Sequence, residues 1–412
     1  MGHASVIGVF GGKRIIFDPV ILSKPYSDSW VFFPPQVQDP VVFDVDAVVV
    51  SHIHQDHYDL EFLKTLDGRA KIFVIGGRPA FEQDLKKNSI KNLHVIQPET
   101  AVEIFDGIWL FGVTHESNGI DASAIVFNED FCVYHGNDNY LQPDSLRKFQ
   151  GVGRAIDVAC IPYAYIHWYP FLLECEDDQL TSKQAEGTRL VNLYMDDCLN
   201  AIRILQPKAM IPFGANLLLD DGNAFSEINL AVKTPIEFCE YSKGVDEYFE
   251  GIVRPMLAGD CCWMLDDDLH FLINNNLCSE SYRSQADQYL KGRPRKLTKP
   301  DWKPIDIDIF IDAINTRIAH ICETLNQFIF IEFSYLNVSI KIEIDCTRNA
   351  VRRVSEFKLC KPYHLFKLDA ISGGIWLNGG RFEEVIGTRR FTLRRVPNIY
   401  SKEVLRFLST AI

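Results

Sequence analysis

The sequence has no hydrophobic run long enough to cross a membrane, because none of its segments approaches the ~20 apolar residues that a membrane-spanning helix needs. The basic start of a signal peptide is also missing, since residues 1–6 (MGHASV) lead directly into an alternating strand pattern. The 11 cysteines are odd in number and scattered, which is typical of reduced thiols rather than of a disulfide framework. These absences predict a cytoplasmic protein with no membrane partner.

Positive charge is also scarce. Lys and Arg number 42 against 55 Asp and Glu, which gives a formal net charge of −13. A chain with this charge is a poor partner for the phosphate backbone of a nucleic acid. The one dense basic run, at 291–299, contains Pro and Gly and is typical of a linker. We therefore expect a small-molecule substrate and no nucleic-acid partner.

Hydrophobic residues are plentiful and predict well-packed cores. They make up 47% of the 412 residues, and this length favours two domains. Residues 1–285 alternate strand and helix patterns, which predicts a layered α/β domain. Residues 286–304 are predicted to be a linker, and residues 305–412 an α+β domain. The elements expected in this last part are helices over 305–328, 363–371 and 401–411 and paired strands over 329–335 and 338–344.

The most informative feature is the run SHIHQDHY at residues 51–58, which holds His52, His54, Asp56 and His57. Imidazole nitrogens and carboxylate oxygens are ligands that borderline divalent metals prefer. The apolar, β-branched segment 41–50 precedes the run and predicts a buried strand. The four side chains would then lie on the loop at the carboxyl end of a strand, where open α/β sheets keep their chemistry.

Two later residues are candidates to complete this metal site. His115 follows the predicted strand 108–113, and Asp138 follows a strand that ends near Gly136. The first two histidines of the run could hold one ion together with His115. The Asp-His pair of the run could hold a second ion, and Asp138 could bridge the two. The predicted cofactor is therefore one or two divalent metal ions.

In these motifs the sequence resembles the metallo-β-lactamase fold superfamily. The matching segments are His3-Ala-Ser-Val, Ile16-Phe-Asp18-Pro, Ser51-His-Ile-His-Gln-Asp-His57, His115 and Gly136-Asn-Asp138. The resemblance implies a four-layer αββα sandwich over 1–285 and the two-ion ligand pattern just described. It also implies that Asp18 supports the histidine loop, residues 51–58, rather than binding an ion itself. His3 itself has no predicted role as a ligand.

The sequence departs from that family at Gly214. The family usually has a last ligand His after a strand of the type Ile-Pro-x-His, and Gly214 stands in its place. Asn216, Asp220, Asp221, His167 or water could fill the gap, or the site could hold a single ion. The aromatic loop 163–169, which includes Tyr163, is a candidate wall of the substrate pocket.

The segment 205–216 and the C-terminal segments 374–376 and 394–400 are similar to CMP-N-acetylneuraminate hydroxylases. Enzymes of that kind also carry a Rieske iron–sulfur domain, which needs a Cys-x-His and a Cys-x-x-His loop. This sequence has no Cys-x-His, so the Rieske domain is absent from it. The resemblance therefore does not imply hydroxylation of sialic acid by that route.

Three functions remain compatible with these residues. The favoured one is hydrolysis by metal-activated water, with zinc as the expected ion, Asp56 orienting the nucleophile or moving its proton, and His57 beside it as the second predicted catalytic residue. The first alternative is a non-haem iron or di-iron oxygenase, which would need a separate reductase as electron donor. The second is a binding protein whose site has lost its activity.

Overall fold

The computed structural model describes residues 2–36, 40–115, 120–138, 142–174, 180–220, 227–275, 277–293, 304–321, 325–335 and 338–410. The strands up to residue 272 are β1 (Val6–Phe10), β2 (Lys13–Phe17), β3 (Trp30–Phe32), β4 (Ala47–Val50), β5 (Lys71–Ile75), β6 (Leu93–Ile96), β7 (Val102–Phe105), β8 (Ile108–Thr114), β9 (Ala122–Phe127), β10 (Cys132–His135), β11 (Val158–Pro162), β12 (Ala209–Phe213), β13 (Leu217–Leu219), β14 (Cys261–Leu265) and β15 (Asp268–Leu272). The helices of the same part are α1 (Pro25–Asp28), α2 (Leu60–Thr65), α3 (Pro79–Lys87), α4 (Pro143–Gln150), α5 (Leu180–Leu205), α6 (Glu227–Ala231), α7 (Pro235–Val245) and α8 (Ser279–Gly292).

The first sheet has the strand order β1-β2-β4-β5-β6. Its opening hairpin turns through Gly11 and Gly12, which both have positive φ, as the tight turn between two antiparallel strands requires. From β2 onward the neighbouring strands run parallel. Their carboxyl ends therefore meet at one edge, where Asp18 follows β2 and the histidine loop follows β4.

The second sheet has the order β12-β11-β10-β9-β8-β7 and packs face to face against the first. Apolar side chains from both sheets fill the space between them; examples are Phe17 and Val49 from the first and Val126 and Val158 from the second. Helices α2 and α3 cover the outer face of the first sheet, and α4, α5 and α7 cover that of the second. These four layers confirm the predicted αββα sandwich.

The C-terminal part consists of α9 (Pro304–Ile321), β16 (Phe328–Tyr335), β17 (Val338–Asp345), β18 (Ala350–Val354), β19 (Tyr363–Leu368), α10 (Ala370–Leu377), α11 (Phe382–Gly387), β20 (Phe391–Val396) and α12 (Lys402–Thr410). Its sheet has the order β18-β17-β16-β19-β20, and helices pack against it around Trp376. The helix predicted over 363–371 is wrong, because residues 363–368 form a buried strand that pairs with β16 and β20. A short apolar run such as 363–371 is long enough for either a strand or a short helix, so its length does not distinguish them.

The predicted linker overlaps a helix. Residues 286–292 belong to α8, whose Tyr282, Ala286 and Leu290 pack against Phe33 and Leu218 of the sandwich. Residues 294–303 of the linker lie outside the described part of the chain. The division into two domains with this linker stays a prediction. Across the described ranges, no helix combines the length and the apolarity that a membrane span needs.

Candidate metal centre

The histidine loop is held from below by the buried carboxylate of Asp18. One oxygen of Asp18 accepts a hydrogen bond from the Ser51 backbone N–H at 2.7 Å. The other accepts from Ser51 Oγ at 2.6 Å and lies 2.7 Å from Nδ1 of His57. Since the Ser51 hydroxyl donates to Asp18, its oxygen accepts from Nδ1 of His52, which lies at 2.9 Å. Both rings therefore carry their proton on Nδ1 and keep Nε2 for the site.

Six side chains supply ligand atoms in two compact groups. His3, Asp56 and His57 form one group, and His52, His54 and Asp138 form the other; within each group the ligand atoms lie within 4.8 Å of one another. Each group offers two imidazole nitrogens and one carboxylate. This is a common donor set for divalent zinc and iron, and it leaves coordination positions open for water or substrate. The side chains present therefore fit one divalent ion in each group.

Asp138 lies between the two groups. Its Oδ1 is 3.8 Å from Nε2 of His52, and its Oδ2 is 3.4 Å from Nε2 of His57. A carboxylate whose two oxygens face different histidines is placed to bridge two ions. The structure thus brings Asp138 to the position between the groups that the sequence predicts for it.

His3 is the residue that sequence reasoning missed. Its Nε2 lies 3.3 Å from both Oδ2 of Asp56 and Nε2 of His57. Its backbone oxygen accepts a hydrogen bond from Gly214 N at 3.3 Å, so the N-terminal histidine lies beside the position where the family usually has its last His. Gly214 has a φ of +76°, a conformation that favours glycine. The sequence does contain one signal for His3: it lies in the opening segment His3-Ala-Ser-Val, which resembles the family. That resemblance alone does not predict that His3 is a ligand.

His115 does not join either group among the described residues. It is buried, and its Nε2 lies 3.3 Å from Ser123 Oγ and 3.4 Å from Asn137 Nδ2. Asp138, rather than His115, completes the group of His52 and His54. The ring therefore lies beside the centre, and its role as a ligand stays a prediction.

Asp121, which the sequence reasoning also missed, is buried in the same place. Its Oδ1 is 3.6 Å from Nε2 of His52, and its backbone oxygen accepts from His115 N at 2.9 Å. The residue stands directly before β9 and no motif marks it, so only the fold could reveal its position.

The substrate-wall prediction for Tyr163 is wrong. Tyr163 is fully buried in the core, where its hydroxyl donates to Lys233 O at 2.8 Å and its ring packs against Phe238. Apolar packing in the layer behind the second sheet outweighs its loop position in sequence. His167 lies in the same aromatic loop, where its Nδ1 accepts from Tyr169 N at 3.1 Å, and it is in neither donor group of the described chain.

The other candidates for the gap at Gly214 are placed differently. Asn216 is buried, and its backbone oxygen accepts from Phe33 N at 3.1 Å. Its role as a ligand stays a prediction. Asp220 pairs with Arg293 at 3.0 Å, which occupies its carboxylate. Asp221 lies outside the described residues.

The carboxylates and imidazoles of the centre shift one another's pKa values. Burial opposes the ionisation of Asp138, but His57 and His52 hold its pKa well below the ordinary value. Burial also opposes the charge of His57, but Asp138 and Asp56 outweigh it and hold its pKa well above the ordinary value. Burial lowers the pKa of His52 to about 4 despite the nearby carboxylates. In the metal-free protein these carboxylates therefore favour a second proton on His57, at Nε2, and metal binding would release it.

Comparisons with known proteins agree with this geometry. A family described as the beta-lactamase superfamily domain matches residues 1–213, which is just over half of the chain. The chain belongs to the metallo-β-lactamase superfamily. The match covers both sheets up to β12 and every residue of the two donor groups.

Curated relatives in the superfamily match shorter segments. A UPF0173 metal-dependent hydrolase of Saccharolobus solfataricus is 32% identical over 148 residues, which are 35% of this chain and 62% of that protein. The human inactive cytidine monophosphate-N-acetylneuraminic acid hydroxylase is 32% identical over 69 residues, 16% of this chain and 14% of that protein. The chain thus spans less than two thirds of the length of either of these two relatives. Among solved structures, the metallo hydrolase Igni18 of Ignicoccus hospitalis aligns with a TM-score of 0.42 at 20% identity, over 66% of this chain and 97% of that one.

Proposed function

We propose that this protein is a metal-dependent hydrolase of a small-molecule substrate. The observation that carries the proposal is the pair of donor groups, each with two imidazoles and one carboxylate, with Asp138 facing both. Sites that would hold two divalent ions side by side are typical of enzymes that hydrolyse amides and phosphoesters. The name of the Saccharolobus solfataricus relative, a metal-dependent hydrolase, supports the same reaction class.

Divalent ions bound to these groups would lower the pKa of a water molecule from ~16 to about 7 and polarise a carbonyl or phosphoryl oxygen of the substrate. Asp56 is the residue best placed to handle the proton. Its Oδ1 accepts a hydrogen bond from the Tyr26 hydroxyl at 3.0 Å, which fixes the plane of the carboxylate. In the proposed reaction the water oxygen forms a bond to the substrate centre and the bond to the leaving group breaks. Asp56 takes the water proton and returns it to the leaving group.

His57 has a positioning role in this scheme. Its Nδ1 is tied to Asp18 at 2.7 Å, so its Nε2 points at the carboxylates of Asp56 and Asp138 at 3.8 and 3.4 Å. A fixed ring and a fixed tautomer hold the ligand nitrogen in one place throughout the reaction.

The second candidate is an iron-dependent oxygenase. One observation favours it: a 69-residue stretch that is 32% identical to a protein of Pongo pygmaeus named as a cytidine monophosphate-N-acetylneuraminic acid hydroxylase. Two imidazoles and one carboxylate also suit non-haem iron. This reaction would need electrons from a separate reductase, whereas hydrolysis needs only water, and we therefore favour the hydrolase.

Metal analysis of the purified protein separates the two. We expect zinc, no visible absorption band, and an Asp56-dependent hydrolysis of ester or phosphoester test substrates. Tightly bound iron with a visible band and no hydrolysis would overturn the hydrolase in favour of the oxygenase. His54→Ala should lower the bound metal and abolish the activity. His94→Ala, which changes an exposed histidine on β6, is the matched control and should alter neither.

A further inference from the structure

Arg389 of the C-terminal part comes next to the metal centre. It lies between α11 and β20, where Nη1 donates to Ile386 O at 2.7 Å and Nη2 donates to Ile166 O at 3.3 Å. Its guanidinium lies 6.0 Å from the ring centre of Trp30. These contacts fix the side chain at the junction between the C-terminal sheet and the sandwich.

The junction continues directly to a ligand carboxylate. Gly387 packs so closely on Tyr26 that an added Cβ would lie 2.2 Å from the tyrosine ring, and Gly387 O accepts from Trp30 Nε1 at 2.7 Å. The hydroxyl of the same Tyr26 donates to Asp56. The turn that carries Arg389 therefore packs on Tyr26, whose hydroxyl binds a carboxylate of one donor group.

The guanidinium of Arg389 forms no ion pair with the carboxylates that the structure describes. Within the described ranges, no carboxylate lies within ion-pair distance of its guanidinium, and its buried Nε makes no hydrogen bond. The adjacent Arg390 differs, because it pairs with Asp369 at 2.6 Å. Burial lowers the pKa of Arg389, while nearby Tyr26 and Asp56 act in the opposite direction. A guanidinium with a buried, unused donor is costly unless a bound anion compensates it.

Arg78, a second arginine near the histidine loop, uses its side-chain donors on backbone oxygens. It is buried beneath the histidine loop, where its Nε donates to Ile75 O at 2.8 Å and its Nη1 to Ser51 O and to Ile120 O at 3.0 Å. Its donors therefore go to backbone carbonyls and stabilise the loop. Of these two arginines, Arg389 is the one with an unused donor.

We propose that Arg389 binds an anionic oxygen group of the substrate, a carboxylate or a phosphate, beside the metal centre. The inference rests on the proposed hydrolase function and narrows its substrate to anionic molecules. The C-terminal part then contributes a specificity residue to a site whose metal ligands all come from the sandwich. The planar guanidinium suits either group because it presents two parallel N–H donors.

The test is binding of simple anions to the metal-loaded protein. Inorganic phosphate and acetate are titrated separately, with tryptophan fluorescence as the readout because Trp30 borders Arg389. Arg389→Met should weaken binding of the better anion at least tenfold, with the metal content unchanged. Arg381→Met is the matched control and should bind like the wild type; Arg381 is an exposed arginine directly before α11 and lies 3.4 Å from Glu384. Phosphate as the tighter ligand indicates a phosphorylated substrate, and acetate a carboxylate.

Equal anion dissociation constants for the wild type and Arg389→Met would overturn the proposal. If that variant does not fold, Arg389→Lys keeps the charge and the aliphatic stem but loses the planar pair of donors, and wild-type affinity in it would overturn the proposal instead. Metal content, measured on the same samples, reports on the proposed function separately. A metal-free wild type would contradict the hydrolase, whereas a metal-loaded Arg389→Met with unchanged anion binding contradicts only this inference.

Discussion

Asp18→Asn should weaken metal binding while leaving the fold intact. The carboxylate accepts from Ser51 N and Ser51 Oγ and lies 2.7 Å from His57 Nδ1. Asparagine has the same shape but replaces one oxygen by an NH₂ group. If the amide faces His57, two donors meet and the ring must move its proton to Nε2, which removes the lone pair that a metal needs. If it faces Ser51 N, two N–H groups meet and the histidine loop must shift.

The magnitude follows from these contacts. Either orientation loses at least one hydrogen bond to a charged group, worth about 1.5–3 kcal/mol. Since about 1.4 kcal/mol corresponds to a tenfold change in an equilibrium constant, the ion held by His57 should bind about 10- to 100-fold more weakly. The change acts through ring orientation, so the group of His52 and His54 should be affected too, because Ser51 links Asp18 to His52.

Competition with a chromophoric chelator measures this affinity, and circular dichroism checks the fold. Asp46→Asn is the matched control, because Asp46 accepts from Lys13 and Arg14 at the opposite end of β4. It should leave metal affinity unchanged. Wild-type zinc affinity in Asp18→Asn would refute the argument that Asp18 fixes the tautomers of the histidine loop.

Two further predictions concern a ligand's support and the C-terminal sheet. Tyr26→Phe removes the donor to Asp56 and should weaken zinc binding about tenfold in the chelator assay, and an unchanged affinity would show that this hydrogen bond does not position the carboxylate. Burial, with a smaller effect of Arg395, lowers the pKa of His364 to about 4. The unfolded chain therefore takes up the proton first, and His364 costs stability as the pH falls from 6.5 towards 4, by up to about 1.4 kcal/mol per pH unit. His364→Gln should flatten the loss of thermal stability over that window, and an identical pH profile would contradict the shift.

The architecture of the sandwich was predictable because its signals are local. A Gly-Gly turn between two alternating segments specifies the hairpin of β1 and β2. The apolar run before the histidine loop specifies β4, although the strand begins at Ala47, later than the run itself. By contrast, the segment 363–368 was mistaken for a helix, because only its pairing with two neighbouring strands makes it a strand.

Some residues of the candidate site could likewise be predicted from local sequence, and others could not. His52, His54, Asp56 and His57 were predictable because their spacing places them on one loop. His3 was not, because the side chains that it meets, Asp56 and His57, lie more than 50 positions away in the sequence and come close only in the folded chain.

Tyr163 and Arg389 show the limits of reading loops and distant segments. The sequence around Tyr163 has the aromatic composition of a pocket wall, yet the side chain is in the core. Nothing in the local sequence of Arg389 marks it, since its relevance arises from the contact of Gly387 with Tyr26. Such contacts between distant parts of a chain depend on tertiary packing, which no local pattern encodes.

The most direct test of the account is the metal stoichiometry of the wild type and His3→Ala, measured by plasma mass spectrometry after dialysis against trace zinc. If His3 completes the donor group of Asp56 and His57, the wild type should hold two equivalents per chain and His3→Ala one. His94→Ala, the matched control, changes an exposed histidine outside both donor groups and should still hold two. Two equivalents retained by His3→Ala, or a single equivalent in the wild type, would contradict the two-ion centre that His3 completes.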